Sequence, residues 1–178
     1  MEKKQRKNKM SQKIVTIATK KNEEFLRRRT VPFDFKAHTK KEIMELIRKM
    51  RQMMKEADGV GLSANQIGLN YRMFVAQVPD SQGHPKFYAI FNPEISKLSK
   101  EMETLEEGCL SGPETYGPTP RHYRLTLTGQ GPNGKKLKIN AWGLLARVFQ
   151  HETDHLNGHL FLDRAEKLYN VNDVNDSN

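Results

Sequence analysis

The sequence predicts a single domain of mixed α and β structure, and three features carry that expectation. A capped run of helical period covers Lys40 to Ala57, alternating apolar stretches flank turn-forming residues between Arg72 and Ala141, and a second periodic run stops at Asn157-Gly158. No internal repeat divides the 178 residues, a length that suits one domain with a substantial core. Only 36% of the residues are hydrophobic, the mean hydropathy is -0.77, and no apolar stretch approaches membrane-spanning length. The single cysteine excludes an internal disulfide and suits a reducing compartment.

The formal net charge of +9 is unevenly placed. Lys3, Lys4, Arg6, Lys7, Lys9 and Lys13 stand against Glu2 alone, so residues 1–13 cannot bury a core and are expected to be disordered. Such a segment is a solubilising tail or, because phosphate contacts need no defined fold, a contact for the ribosome. It is Lys-rich and Ser-poor, unlike a typical transit peptide, and has no secretory apolar region. The folded domain is expected over residues 14–169, with a polar, disordered tail over 170–178.

Within that domain, Thr39-Lys40-Lys41-Glu42 has capping-box spacing, and Ile43, Leu46, Ile47, Met50, Met53 or Met54 and Ala57 follow on one stripe. A helix is therefore expected from Lys40 to Ala57, its methionines filling core gaps. Gly59-Val60-Gly61-Leu62-Ser63-Ala64-Asn65-Gln66, taken alone, reads as a helix cap followed by a tight turn. Arg72 to Val78 and Lys86 to Phe91 read as strands around the turn Asp80-Ser81-Gln82-Gly83. Tyr123, Leu125 and Leu127 alternate, Gly131-Pro132-Asn133-Gly134 turns the chain, and Leu137, Ile139 and Ala141 alternate again, which is a hairpin.

The next run carries the chemistry. Leu144, Val148, His151 and His155 share one helical stripe, with Leu145, Phe149 and Glu152 on the adjoining one. Histidines four apart on one face can ligate one ion, while Glu152, one residue round, can reach a metal-bound water without touching the metal. The pattern His151-Glu152-Thr153-Asp154-His155 is a layout for hydrolysis, provided that a third ligand exists. Cys109, His159 and Glu166 are the candidates. His159 lacks the intervening glycine spacing of extended histidine motifs, Glu166 lies close behind the helix, and a lone Cys109 is by default a small buried hydrophobe.

Glu107-Gly108-Cys109-Leu110-Ser111 changes that balance. In order and spacing this segment, the glycine-rich segment and the histidine segment resemble the peptide deformylase motifs G-x-G-L-A-A-x-Q, E-G-C-L-S and H-E-x-D-H, and the resemblance extends from about Ile14 to Arg164. The second and third motifs match in full. In the first, Ser63 stands where the family usually has Ala, and Asn65 occupies a variable position. Leu26-Arg27, Arg121, Ala146-Arg147 and Phe161-Leu162-Asp163-Arg164 are further family-like features.

The resemblance implies an α+β fold, a single compact domain with short, largely antiparallel sheets packed around a central metal-binding helix. It implies Cys109, His151 and His155 as metal ligands, Glu152 as general base, and the Gln66 amide with the Leu110 backbone N–H as oxyanion donors. The reaction implied is hydrolysis of the N-formyl group of formyl-methionyl nascent peptides, releasing formate. Iron(II) is the implied ion, with zinc, nickel or cobalt as substitutes. The peptide is expected to pair as an extra strand beside Val60, Gly61 and Gly108, with its methionine among Val60, Leu105, Leu144 and Val148. Glu107 is expected to build the site rather than react. A monomer in a bacterial-type cytoplasm or an organelle is expected, with no membrane partner. Two other functions use the same helix: a metal-dependent peptidase, and a basic ribosome- or RNA-binding protein with a structural metal.

Overall fold

The computed structural model describes residues 13–171. The basic segment at 1–13 lies outside them except for Lys13, and the polar tail at 170–178 lies outside them except for Asn170 and Val171. The described elements run α1 (Lys20–Leu26), α2 (Lys40–Glu56), β1 (Gly61–Ser63), β2 (Met73–Pro79), β3 (Pro85–Ser96), β4 (Met102–Cys109), β5 (Gly112–His122), β6 (Arg124–Gln130), β7 (Lys136–Trp142), α3 (Gly143–Asn157) and β8 (Tyr169–Asn170).

Helix α2 starts where its capping chemistry predicts. The Glu42 N–H donates to Thr39 Oγ1 at 3.2 Å, the Thr39 N–H donates to Glu42 Oε2 at 2.7 Å, and Ile43, Ile47, Met50 and Met54 form the buried stripe. That stripe packs on a five-stranded antiparallel sheet of order β1-β2-β3-β6-β7. β2 is buried on both faces, which explains its continuous apolar run. Met73 and Val75 join the cluster under α2, while Phe74, Ala76 and Val78 join a second cluster with Ala146, Val148 and Phe149 of α3. The opposite side of α3 meets the smaller antiparallel sheet, of order β4-β5-β8, through Arg147 and Asp154. The helix is thus enclosed between two sheets, the α+β arrangement expected.

Several elements differ from the expectation. β3 continues past Phe91 to Ser96 because a bulge between Phe91 and Glu94 absorbs Asn92-Pro93. There Asn92 has φ 49° and its side chain bonds the Phe33 backbone N–H and carbonyl. Helix α1 carries one buried residue, Leu26, so no apolar period marks it; its signal is Thr19, whose hydroxyl accepts the Asn22 N–H. β4 and β5 carry charges, glycines and prolines in place of an apolar alternation. Pro118 and Pro120 lie beyond Thr115 and Tyr116, the two β5 residues that pair with β8, where a missing N–H is tolerated. Asn170, the first residue of the expected polar tail, pairs with Thr115 of β5.

Gly158 ends α3 with φ 83°, and a Cβ there would lie 2.3 Å from the Arg27 carbonyl oxygen. The stop therefore also lets the chain leaving α1 cross the helix end. Arg27 then bonds both Asp163 carboxylate oxygens at 3.0 Å, joining two of the distant segments that resemble the family. No helix among the described residues is long and apolar enough to cross a membrane.

Candidate metal centre

Three segments meet beside α3. β4 delivers Cys109, the chain turns through Leu110 and Ser111 into β5, and α3 presents His151 and His155 from successive turns. Cys109 Sγ lies 3.1 Å from His155 Nε2, and one ligand atom from each of the three residues falls within 4.8 Å of the others. Bonds of about 2.0–2.3 Å to a tetrahedral ion place donors roughly 3.3–3.8 Å apart, so the cluster is of the size that one ion needs. His159 and Glu166 are not in it.

The buried carboxylate of Glu107 fixes this geometry. It accepts Arg121 Nε–H at 3.0 Å, Arg121 Nη2–H at 2.9 Å, Arg147 Nη1–H at 2.6 Å and His151 Nδ1–H at 3.1 Å. The last bond holds Nδ1 and orients the ring so that its other edge faces Cys109. Burial would push the Cys109 thiol up, yet the charge on His155 and hydrogen bonds from both histidines hold it well below its usual value. Burial likewise lowers His151, but Cys109 and Glu107 raise it to about 10. An anionic sulfur among imidazoles is the donor set that a divalent cation completes.

Glu152 is buried and outside the ligand cluster. Burial pushes its carboxyl above the ordinary range against the opposing pull of His151 and His155. Its Oε1 lies where a Cβ on Gly61 would come within 2.3 Å, so the glycine is what admits the carboxylate. Gln66 is held by the Ser63 N–H, which donates to Oε1 at 2.9 Å and turns Nε2 toward Ser111 Oγ (3.1 Å) and Cys109 Sγ (3.6 Å). A cleft of about 540 Å³ opens onto these groups, within the usual range of small-molecule sites.

Val60, Gly61, Gly108, Leu110, Leu144 and Val148 all line the cleft. Leu105 does not; it stands two residues before Glu107 on β4, 46% exposed, outside the lining. Tyr116 escaped the sequence reading, and Ser111 was read only as part of its motif. The Tyr116 ring packs over Gly108, where a Cβ would come within 2.6 Å, and only strand pairing brings it there. Ser111, which bonds Gln66 and donates its N–H to Cys109 Sγ at 3.4 Å, was visible as the last residue of its motif.

The ion pairs also set acid stability. Burial raises Glu107 and Asp154, but hydrogen bonds from His151 and Arg121 to the first, and from Arg164 with the Arg121 charge to the second, leave both below the usual carboxylate range. A depressed carboxylate contributes stability that is present above its unfolded-state value, about pH 4, and is lost as pH falls toward the folded value. Denaturant unfolding of the metal-free protein should therefore weaken progressively below about pH 4.5. A constant midpoint from pH 7 to pH 3 would remove these pairs as the source.

The polypeptide deformylase family model matches residues 12–171. Peptide deformylase 2 of Gloeobacter violaceus is 43% identical over 126 residues, 70% of this chain and 67% of that protein. The peptide deformylase of Agrobacterium fabrum is 44% identical over 128 residues, 71% and 75% of the two chains. Among solved structures, a probable peptide deformylase from Synechococcus phage S-SSM7 superposes with a TM-score of 0.77 at 38% identity, covering 86% of this chain and 99% of that one. The Met-Ala-Ser-bound class I type b enzyme of Acinetobacter baumannii gives 0.77 at 28% identity, covering 85% and 96%. A family match that spans every element around the cleft, with relatives above 40% identity, means that the chain belongs to the peptide deformylase family, metal-dependent hydrolases that remove the formyl group from nascent peptides.

Proposed function

We propose that the deformylase activity of this chain is carried by one divalent ion held by Cys109, His151 and His155, with Glu152 as the base. The convergence of a thiol and two imidazoles, with a buried carboxylate beside but outside them, carries the reading. Iron(II) is the ion proposed; zinc, nickel and cobalt suit the same donors. When bound, the ion supplies Lewis acidity that makes water a nucleophile near neutral pH. Glu152 takes the proton of the attacking water and delivers it to the departing amine nitrogen, leaving formate and a free N-terminus. Gln66 Nε2–H and the Leu110 N–H donate to the oxygen that gains charge.

The substrate lies along the cleft. Its backbone pairs beside Val60, Gly61 and Gly108 as a short added strand, and its methionine side chain enters between Leu144 and Val148, with Val60 at the mouth. Leu105 is left out of this pocket. The chain acts as a monomer in the compartment where formylated chains are made, a bacterial-type cytoplasm or an organelle, and residues 1–13 bring it to the phosphate-coated ribosome.

Glu152→Gln should keep the metal and the fold while formate release from formyl-Met-Ala falls by about two to four orders of magnitude. Loss of metal, or activity within a few-fold of wild type, sinks the base assignment. Cys109→Ala should lose metal affinity and thermal stability together, because binding the ion is partly folding free energy. Unchanged metal stoichiometry by elemental analysis returns Cys109 to a packing role. Deleting residues 1–13 should leave dipeptide hydrolysis unchanged and weaken salt-sensitive cosedimentation with ribosomes. Equal cosedimentation at low and physiological salt makes the segment a solubilising tail.

A further inference from the structure

We infer that Ser63 is a positioning residue for Glu152, its hydroxyl holding the carboxylate in the orientation that receives the proton of water. The inference rests on the assignment of Glu152 as base. Gly61 and Ser63 are two apart on β1 and so project to the same side, toward α3. The carboxylate lies against both. Oε2 accepts the Ser63 hydroxyl at 2.6 Å, and Oε1 rests in the space left by the missing Cβ of Gly61. The Glu152 carbonyl oxygen is a second acceptor within reach of Ser63 Oγ, at 3.0 Å, but the hydroxyl has one proton and Oε2 is the nearer acceptor at 2.6 Å.

Each half of this seat has a consequence. A glutamate has three side-chain torsions, and burial alone does not choose among their staggered combinations; a short hydrogen bond at one oxygen does. With Oε2 committed to Ser63, Oε1 is the oxygen left on the cleft side, where Gly61 and Glu152 are both lining residues. Ser63 is fully buried and does not line the cleft, so it acts through Glu152 and not on the peptide. Alanine, the residue that the family pattern carries here, has the size for the site but no hydroxyl to donate. Ser63 also donates its backbone N–H to Gln66 Oε1, and that bond survives any side-chain change. Ser63→Ala therefore removes the hydroxyl alone.

Metal-loaded wild type, Ser63→Ala, Glu152→Gln, Glu152→Asp and the double variant Ser63→Ala with Glu152→Asp should be compared for formate release from formyl-Met-Ala, with metal content measured on each. Ser63→Ala should lower kcat roughly three- to tenfold with KM and metal content unchanged, the loss of one charge-assisted hydrogen bond expressed in the chemical step. Aspartate withdraws the carboxylate by one methylene from the hydroxyl, so adding Ser63→Ala to Glu152→Asp should change kcat by less than about twofold. A kcat for Ser63→Ala within about twofold of wild type, while Glu152→Gln is inactive, overturns the role of Ser63 and leaves the base assignment standing. An equal loss in both backgrounds also overturns it, because the hydroxyl would then act on the scaffold. Near wild-type activity in Glu152→Gln removes the base assignment and the inference with it.

Discussion

One buried carboxylate ties β4, β5 and α3 together at the centre. Glu107 sits two residues before Cys109 on β4 and is compensated by Arg121 of β5, Arg147 of α3 and the Nδ1–H of His151. An ionised carboxylate out of water is tolerated only when paired and fully hydrogen-bonded, so these partners have little freedom to be elsewhere. Arg121 carries the network on to Asp154, which Arg164 also grips at 2.6 and 2.8 Å. One set of ion pairs therefore fixes the small sheet, the helix and the segment after it in a single register. Withdrawing one partner of such a pair costs about 3–5 kcal/mol, whereas an apolar replacement of the whole set is often neutral. Specification of geometry, more than net stability, is what these charges contribute here. The 3.1 Å approach of Cys109 to His155 follows from it.

Glycine enters the centre in two distinct ways. Gly61 and Gly108 are needed for the space that they leave, one for the Glu152 carboxylate and one for the Tyr116 ring. Gly158 is needed for its backbone, since it turns left-handed at φ 83° and lets the Arg27 carbonyl pass. Gly61 belongs to a segment that, taken alone, looked like a helix cap and tight turn in the sequence, and Gly108 to the segment around Cys109. Both glycines also line the cleft, one from β1 and one from β4.

Burial on both sides of the central helix also explains its composition. Along α3, Ala146, Val148 and Phe149 serve the large sheet, while Arg147, His151 and Asp154 serve the small one. The result is an amphipathic helix with no solvent face over its middle turns, whose polar side is paired largely with protein in place of water, Arg147 Nε, Thr153 Oγ1 and His155 Nδ1 being its buried atoms without a partner among the described residues. A hydrolytic site can then sit deep in the fold and still open to a cleft.

Local interactions made part of this legible from the residues alone. The capping box and stripe of α2, the alternation of β6 and β7, and the four-residue spacing of His151 and His155 are all set within one or two turns or one hairpin, so the sequence by itself determined them. It also made Glu152 the natural base, since that role needs only one residue of offset from the ligands. The third ligand was different: spacing left Cys109, His159 and Glu166 open, and resemblance alone favoured the cysteine. Only the tertiary structure brought Cys109 to the histidines, because its neighbourhood is made by β4 and β5, strands held by buried charges and long-range pairing in place of an apolar period. The same reason hid Tyr116 and placed Leu105 outside the cleft, while Ser63, a one-residue departure in a turn-like motif, became a partner of Glu152 because β1 of the large sheet lies against α3.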